Sequence, residues 1–189
     1  MYKQLIDLVP ESYSNFLLNE FTNNVQWTFT PSASNVGDNY DKNDPNIKDS
    51  TQFVHGIIGY SNTTSPLVQS VVPVVWFLEK ETGIKIKNIV RVKANCLVRD
   101  GSAEQYNPPH VDVYDPGFVS LVYYINDSDG DTILFDKMIQ QGHENLTPIV
   151  RNSPRKGSAF LFPSNQLHAS SCPVDCKQRL VLNFILELA

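Results

Sequence analysis

The run of short apolar segments that follows Gly83 constrains the fold of this chain more than any other feature. These segments are rich in Val, Ile, Leu, Phe and Tyr, and turn residues such as Asp129 and Gly130 separate them. Short apolar runs between turn residues are typical of β-strands. We therefore predict strands near 86–99, 110–114, 118–126, 131–136, 147–151, 158–163, 167–171 and 178–188.

Two helices are predicted before this β-rich part. Apolar residues recur at helical spacing over 10–21, namely Tyr13, Phe16, Leu17 and Phe21. A second helix should begin near Pro73, reach about Thr82 and end at Gly83, because proline favours the first turn of a helix and glycine the position just past its end. Helices followed by many strands indicate a sandwich or jelly roll in which helices cover one sheet.

The chain length of 189 residues suits a single domain, 1–189. Residues 1–85 would then support a β-core over 86–188. The stretch 30–55 is rich in Asn, Asp, Ser and Thr and has no sustained periodicity. We predict a long polar loop there, which is either a lid or binding loop or else disordered.

The composition excludes several classes of protein. The formal net charge of -5 argues against a general binder of nucleic acid or anionic membranes, which needs a cationic surface. The longest apolar stretch, 71–78, is far shorter than the roughly 20 residues that span a bilayer. The first residues do not resemble a secretory signal, so we expect a cytoplasmic protein with reduced thiols at Cys96, Cys172 and Cys176.

The predicted strand 86–99 has one apolar and one polar face. Its apolar face consists of Val90, Val92, Ala94, Cys96 and Val98, and its polar face of Arg91, Lys93, Asn95 and Arg99. The polar face would meet bulk water in an ordinary surface strand. It would line an interior cavity if helices cover the apolar face. The alternation alone leaves both arrangements open.

Three residues form a candidate metal site. His110 and Asp112 stand two positions apart in a predicted strand and therefore point to the same face. His168 begins another predicted strand. Two imidazoles and one carboxylate on one face leave coordination positions open, an arrangement that suits non-haem Fe(II) and oxygen chemistry. His55 and His143 lie in polar stretches, and we predict them to be surface residues.

Arg179 and Asn183 are polar residues in the otherwise apolar strand 178–188, on the same face as Val181 and Ile185. A cation that points into a cavity needs an anionic partner, since an unpaired buried charge is costly. A guanidinium can hold a carboxylate through two parallel hydrogen bonds. The partner of Arg179 would be either a ligand or an internal Asp or Glu.

These residues occur in an order that resembles the Fe(II)/2-oxoglutarate-dependent dioxygenases: His110-x-Asp112, then His168, then Arg179. Within that superfamily the chain is most similar to the prolyl 4-hydroxylase-like group. The stretch 119–126 is similar to its strand with two tyrosines, 130–135 to its glycine-rich strand although Asp131 replaces the second glycine, and 157–162 to the strand before the distal histidine.

The resemblance implies a fold and a set of ligands. The fold would be a mainly β, double-stranded β-helix of the jelly-roll or cupin-like type, with N-terminal helices packed on the major sheet. His110, Asp112 and His168 would hold Fe(II), and 2-oxoglutarate and O2 would be the cosubstrates. Arg179 and Tyr124 would contact the distal carboxylate of 2-oxoglutarate. Asn183 is a weaker candidate contact, and Asn95 is either a further contact or a solvated strand residue.

The implied activity is hydroxylation of an unactivated C–H bond in a peptidyl proline, an amino acid or a small metabolite, with release of succinate and CO2. Three alternatives compete with it: a nucleobase demethylase of the alkylation-repair kind, a non-catalytic jelly-roll binding protein, and a cupin-type metalloenzyme that does not use 2-oxoglutarate. The acidic composition argues against the first, the intact triad with Arg179 argues against the second, and the third leaves Arg179 without a role.

Arg91 and Lys93 indicate the kind of substrate. If the apolar face of strand 86–99 packs on the helices, both cations point toward the mouth of the cavity and predict an anionic peptide or small-molecule substrate, with 30–55 as the lid. Alternatively both cations pair with loop carboxylates such as Asp41, Asp44 or Asp49 and only hold the lid, or they lie on a solvated face. The sequence predicts no oligomeric state.

Overall fold

The computed structural model describes residues 2–34, 40, 42–59, 65–100, 105–141 and 145–189. Within these ranges the chain forms ten β-strands and three α-helices, so the predicted mainly β architecture is confirmed. The strands are β1 (Lys3–Leu5), β2 (Thr28–Thr30), β3 (Gln52–Ile58), β4 (Ile86–Val98), β5 (Phe118–Tyr124), β6 (Thr132–Met138), β7 (Pro148–Asn152), β8 (Ala159–Pro163), β9 (Gln166–Ser170) and β10 (Gln178–Leu188). The helices are α1 (Glu11–Asn23), α2 (Val68–Val71) and α3 (Pro73–Thr82).

The strands form two antiparallel sheets. The larger sheet has seven strands in the order β1-β8-β5-β10-β4-β3-β2, and the smaller has three in the order β7-β6-β9. Apolar side chains of both sheets pack in one cluster, in which Val122, Phe160 and Val181 of the larger sheet meet Leu134 of the smaller. The two sheets therefore enclose an interior, as the jelly-roll prediction requires.

The helices cover the outer face of the larger sheet. Leu17 of α1 and Val74 of α3 share a buried cluster with Val92, Ala94 and Cys96 of β4. The opposite face of β4 is therefore the interior face, and this decides the question that the alternation of strand 86–99 left open. The predicted end of α3 is also confirmed: Gly83 follows Thr82 with φ of 73°, the left-handed conformation that favours glycine.

The N-terminal part contributes more to the sheets than the sequence predicted. β1 pairs with β8, and β3 pairs with both β2 and β4, so strands from 1–85 and from 86–188 share one sheet. β3 lies partly inside the predicted polar loop 30–55. Residues 35–39 and 41 of that loop are outside the described ranges, and the division into a support and a core remains a prediction.

The predicted strand 110–114 does not form. His110 makes only an isolated bridge to His168, and the amides of Asp112 and Val113 both donate to the carbonyl of Ser164. A regular ladder cannot form here because two amides share one acceptor. Pro108 and Pro109 also lack the amide protons that a ladder requires. No helix within the described ranges is long and apolar enough to cross a membrane.

Candidate metal centre

The structure brings the three predicted ligands together. His110 and His168 exchange reciprocal backbone hydrogen bonds of 2.9 Å, which place their imidazoles on the same side with ring centroids 4.5 Å apart. Asp112 follows two residues later, and its Oδ2 lies 3.7 Å from Nε2 of His168. The three ligand atoms all lie within 4.8 Å of one another, a spacing at which one ion could bind all of them.

Both imidazoles are oriented by backbone carbonyls. Nδ1 of His110 lies 3.1 Å from the carbonyl oxygen of Pro108, and Nδ1 of His168 lies 2.9 Å from that of Gln166. A carbonyl only accepts, so each Nδ1 must carry the proton and donate it. Each Nε2 then presents its lone pair to the centre, the form in which a neutral histidine binds a metal.

The Asp112 carboxylate is fixed by three side chains. Arg91 Nη2 donates to Oδ1 over 2.5 Å, Ser120 Oγ donates to Oδ2 over 2.6 Å, and Asn183 Nδ2 approaches both oxygens at 3.2 and 3.3 Å. Burial alone would raise the pKa of Asp112, but His168, Arg91 and the hydrogen bond from Ser120 together hold it well below its usual range. The carboxyl group is therefore ionised, as a metal ligand must be.

Burial lowers the pKa of His110 to about 3, and the neighbouring His168 contributes to the shift. The imidazole is therefore neutral across the physiological pH range. A neutral imidazole beside an ionised carboxylate is the protonation pattern that divalent metals select. His110 and Asp112 are therefore already in the protonation states that metal ligation requires.

A cavity of about 170 Å³ adjoins the centre. The predicted polar residues on β4 and β10 line it together with the three ligands: Arg91, Lys93, Asn95, Arg179 and Asn183. The shared face results from the antiparallel register, in which Arg179 lies opposite Leu97, Val181 opposite Asn95 and Asn183 opposite Lys93. Arg99, the fourth polar residue of the predicted face, is not among the described lining residues and donates instead to the carbonyls of Cys176 and Asp175.

Arg179 is 4% exposed and lines this cavity. Its Nε donates to the carbonyl of Gly130 over 2.8 Å and its Nη2 to Oγ1 of Thr132 over 2.7 Å. No described Asp or Glu lies within ion-pair distance of it; the nearby Asp131 instead accepts from Ser153 and lies 3.7 Å from Arg151. The internal ion pair that the sequence left open as a partner is therefore not found in the described part of the chain.

Tyr124 does not itself line the cavity. Its hydroxyl donates to Oγ1 of Thr132 over 3.0 Å and accepts from Nδ2 of Asn152 over 2.7 Å. Thr132, which does line the cavity, therefore connects Tyr124 to Arg179. The direct contact of Tyr124 with a carboxylate stays a prediction, and the structure places Thr132 nearer to that position.

Sequence reasoning missed Thr132, although a signal was present two residues earlier. A Cβ on Gly130 would lie 2.6 Å from the carbonyl oxygen of Ser171 and 3.0 Å from Cδ of Arg179. Only glycine lets the chain pass this close to the Ser171 carbonyl and the Arg179 side chain, so the glycine marks the residues beside it as part of the site.

Gln52 is a second residue that the sequence did not single out. Asn95 Nδ2 donates to Oε1 of Gln52 over 2.7 Å, and Gln52 Nε2 donates to the carbonyls of Ser32 and Ala33 over 3.1 and 2.8 Å. Ala33 and Ser34 line the cavity. This chain of hydrogen bonds ties the described start of the polar loop to the cavity wall, so Asn95 is not a solvated strand residue.

The remaining predicted residues occupy different environments. Lys93 Nζ makes no hydrogen bond or ion pair with any described residue, and burial together with Arg91 lowers the pKa of Lys93 to about 8. His55 is half-buried rather than on the surface, with Nδ1 3.0 Å from the carbonyl of Gln26 and Nε2 2.9 Å from Oγ of Ser65. His143 lies outside the described residues.

No protein-family model matches the chain, and no curated protein is detectably similar in sequence. Solved structures do match. A prolyl hydroxylase from Trichoplax adhaerens, in complex with a hypoxia inducible factor peptide fragment, is 16% identical with a TM-score of 0.62 over 98% of this chain and 83% of that chain. A Pseudomonas putida prolyl-4-hydroxylase is 13% identical with a TM-score of 0.54 over 98% and 91%.

The epimerase SnoN from nogalamycin biosynthesis, solved with Fe3+, α-ketoglutarate and nogalamycin RO, gives a TM-score of 0.64 at 11% identity, over 98% of this chain and 78% of that chain. Identities this low establish the fold and leave substrate and reaction open. The chain therefore has the jelly-roll fold of prolyl hydroxylases and other iron- and 2-oxoglutarate-dependent oxygenases, as its sequence motifs indicated.

Proposed function

We propose that this protein is an Fe(II)- and 2-oxoglutarate-dependent oxygenase that hydroxylates an unactivated C–H bond and releases succinate and CO2. One observation carries the proposal: a His-Asp-His cluster and a buried guanidinium without a described carboxylate partner line the same cavity. The cluster supplies a metal site, and the guanidinium supplies a site for an anion. A cupin-type metalloenzyme that does not use 2-oxoglutarate would not need the anion site at the guanidinium.

His110, Asp112 and His168 would hold the iron through both Nε2 atoms and one carboxylate oxygen. Fe(II) bound there would supply the oxidising chemistry with 2-oxoglutarate and O2. Arg91 and Asn183 would act as positioning residues, because they already hold Asp112 in place from the β4 and β10 sides. This replaces the predicted contact of Asn183 with the cosubstrate.

The cosubstrate would lie along the wall formed by β4 and β10. Arg179 would bind its distal carboxylate, with Thr132 beside the guanidinium and Tyr124 hydrogen-bonded behind Thr132. In the β4–β10 register Asn95 lies opposite Val181. This pair lies between the pair of Leu97 with Arg179 and the pair of Lys93 with Asn183, the residue that contacts Asp112. The amide of Asn95 is therefore the polar group placed to contact the middle of the cosubstrate.

The substrate would enter at the metal end of the cavity. Peptidyl proline, a free amino acid and a small metabolite all fit the chemistry. The structural neighbours include one solved with a peptide and one solved with a small molecule. The segment 31–34, held by Gln52, would help to exclude water from the reactive centre.

The test is anaerobic reconstitution with Fe(II) and 2-oxoglutarate, followed by addition of O2 and measurement of succinate. The wild type should form succinate slowly even without primary substrate, and His168→Ala should form none. His55→Ala is the matched control, since His55 lies in β3 and makes its hydrogen bonds to Gln26 and Ser65, away from the centre. If succinate formation did not depend on iron, or if the wild type formed no succinate, the result would favour a binding protein. Formaldehyde release from methylated nucleobases would favour the demethylase.

A further inference from the structure

The cavity contains more positive than negative charge. Among the described residues that line it are three cations, Arg91, Lys93 and Arg179, and one carboxylate, that of Asp112. Fe(II) and the 2-oxoglutarate dianion would cancel each other's charge, so loading the proposed site leaves this excess in place. An uncompensated charge in a secluded cavity is costly, and the excess therefore requires a further anion.

The three cations are not equivalent. Arg91 is already paired with Asp112 at 2.5 Å, and Arg179 is hydrogen-bonded to Gly130 and Thr132. Lys93 makes no hydrogen bond or ion pair within the described ranges, so all three of its ammonium donors are available to a ligand.

Lys93 also lies at the opposite end of the wall from Arg179. In the β4–β10 register Lys93 lies opposite Asn183, which contacts Asp112. Arg179 lies opposite Leu97, and this pair is four residues further along each strand. The antiparallel rise of about 3.4 Å per residue makes that separation roughly 14 Å along the strands. An anion held by Arg179 therefore does not neutralise Lys93, which lies on the metal side.

The two described loop carboxylates that could have paired with Lys93, those of Asp44 and Asp49, are engaged elsewhere. Asp49 accepts from Oγ of Ser32 over 3.0 Å and from the amide of Ala33 over 3.1 Å. Asp44 accepts from the amide and the side chain of Asn46. Of the carboxylates proposed from sequence as lid anchors, Asp41 alone lies outside the described residues. Neither of the two described carboxylates holds Lys93.

We propose, building on the function above, that the primary substrate is a small carboxylic acid whose carboxylate binds Lys93 beside the metal. An internal peptidyl proline is neutral and would leave the ammonium without a partner. A free amino acid or a related metabolite supplies the required carboxylate.

The experiment uses the full chain loaded anaerobically with Mn(II), in place of Fe(II), and with saturating 2-oxoglutarate. The probes are matched acid and amide pairs: L-proline with L-prolinamide, N-acetyl-L-proline with its amide, and benzoate with benzamide. Enhanced relaxation of the probe protons by Mn(II) reports binding next to the metal. The acids should bind at least tenfold more tightly than their amides, and a tenfold change is about 1.4 kcal/mol.

Lys93→Met should abolish the preference for acids, whereas Lys93→Arg should keep most of it. Lys80→Met, an exposed lysine on α3, is the matched control and should behave as wild type. Equal binding of acids and amides to the wild type, including no binding of either, would overturn the inference. A loss of 2-oxoglutarate affinity in Lys93→Met as large as that in Arg179→Met would also overturn it, because Lys93 would then belong to the cosubstrate site.

The same samples separate failure of this inference from failure of the proposed function. If the wild type binds neither Mn(II) nor 2-oxoglutarate, the proposed function is wrong and the substrate inference is wrong with it. If both bind and the acids show no preference, the oxygenase proposal stands and only the role of Lys93 is refuted.

Discussion

Replacing Arg179 by methionine should show whether its guanidinium binds a ligand or belongs to an internal ion pair. Methionine is a flexible, unbranched apolar side chain that can fill much of the same space. An arginine that belongs to an internal ion pair stabilises the free protein through its partner. An arginine that binds a ligand stabilises mainly the liganded protein. The two roles predict opposite effects on the free and the liganded protein.

The magnitude in the free protein follows from the contacts of Arg179. The variant loses two charge-assisted hydrogen bonds, to Gly130 and Thr132, each worth about 1.5–3 kcal/mol. The variant is also spared the desolvation penalty of a buried charge that has no described carboxylate partner. This effect stabilises the variant by several kcal/mol. Because these contributions offset each other, we expect the free energy of unfolding to change by less than about 2 kcal/mol.

The magnitude in the liganded protein is larger. Losing one partner of a buried ion pair costs roughly 3–5 kcal/mol, which corresponds to a loss of about 10²- to 4 × 10³-fold in 2-oxoglutarate affinity. Ligand at 100 times its Kd stabilises the wild type by about 2.7 kcal/mol, or roughly 5–10 °C in Tm for a chain of this size. At that same concentration the variant should show almost no shift.

The assay is thermal and denaturant unfolding of the Mn(II)-loaded protein, under anaerobic conditions, with and without 2-oxoglutarate. Arg155→Met is the matched control, because Arg155 is exposed and its only ion pair in the described chain is with the exposed Asp7 at 3.6 Å. An equal 2-oxoglutarate shift in wild type and Arg179→Met would refute the reasoning. So would a loss of 3–5 kcal/mol in the free variant, since that result would mean an internal ion pair.

Further outcomes follow from the same geometry. Alanine at any one of the three metal ligands should abolish tight Mn(II) binding in calorimetry, whereas His55→Ala should keep it. Tyr124→Phe should weaken 2-oxoglutarate binding by less than Arg179→Met, by roughly 1.5–3 kcal/mol or less, because Thr132 intervenes. The metal-free protein should lose stability as the pH falls from 6.5 to about 3, by up to about 1.4 kcal/mol per pH unit, because the unfolded chain protonates His110 while the folded chain does not; His110→Gln should flatten this dependence. Gln52→Ala should make the chain near 31–34 more sensitive to proteases, in digestion followed by mass spectrometry.

The parts of the fold that the sequence predicted are those governed by local periodicity. Over 91–97 of β4 and 179–184 of β10, residues that face the helices alternate with residues that face the cavity, so these side chains could be assigned from the sequence. The alternation fails toward the ends of β4, where the register shifts and the predicted apolar residues Val90 and Val98 are exposed. α3 has proline at its first position and Gly83 after its last, and both ends were predicted correctly. These signals depend only on neighbours within a few residues.

The parts that could not be predicted depend on long-range pairing. β3 begins inside the predicted polar loop 30–55, and it forms a strand there because β4 offers an edge to pair with. His110 and Asp112 do converge, but through the isolated bridge to His168 and the shared acceptor Ser164 rather than through a strand. The spacing of the motif led to the right residues, while the structural reason for their convergence was different.

The pairing of Arg91 with Asp112 gives the two cations on the polar face of β4 different roles. From the sequence, Arg91 and Lys93 were equivalent cations on one face, and both were assigned to the substrate. In the structure Arg91 compensates the carboxylate of the metal centre, so the centre and its arginine together carry little net charge apart from the metal. The unbalanced charge then belongs to Lys93 on the metal side and to Arg179 at the far end. Two separate cations in one cavity call for two separate anionic groups. The distal carboxylate of 2-oxoglutarate would meet Arg179 at the far end, and Lys93 on the metal side requires the second.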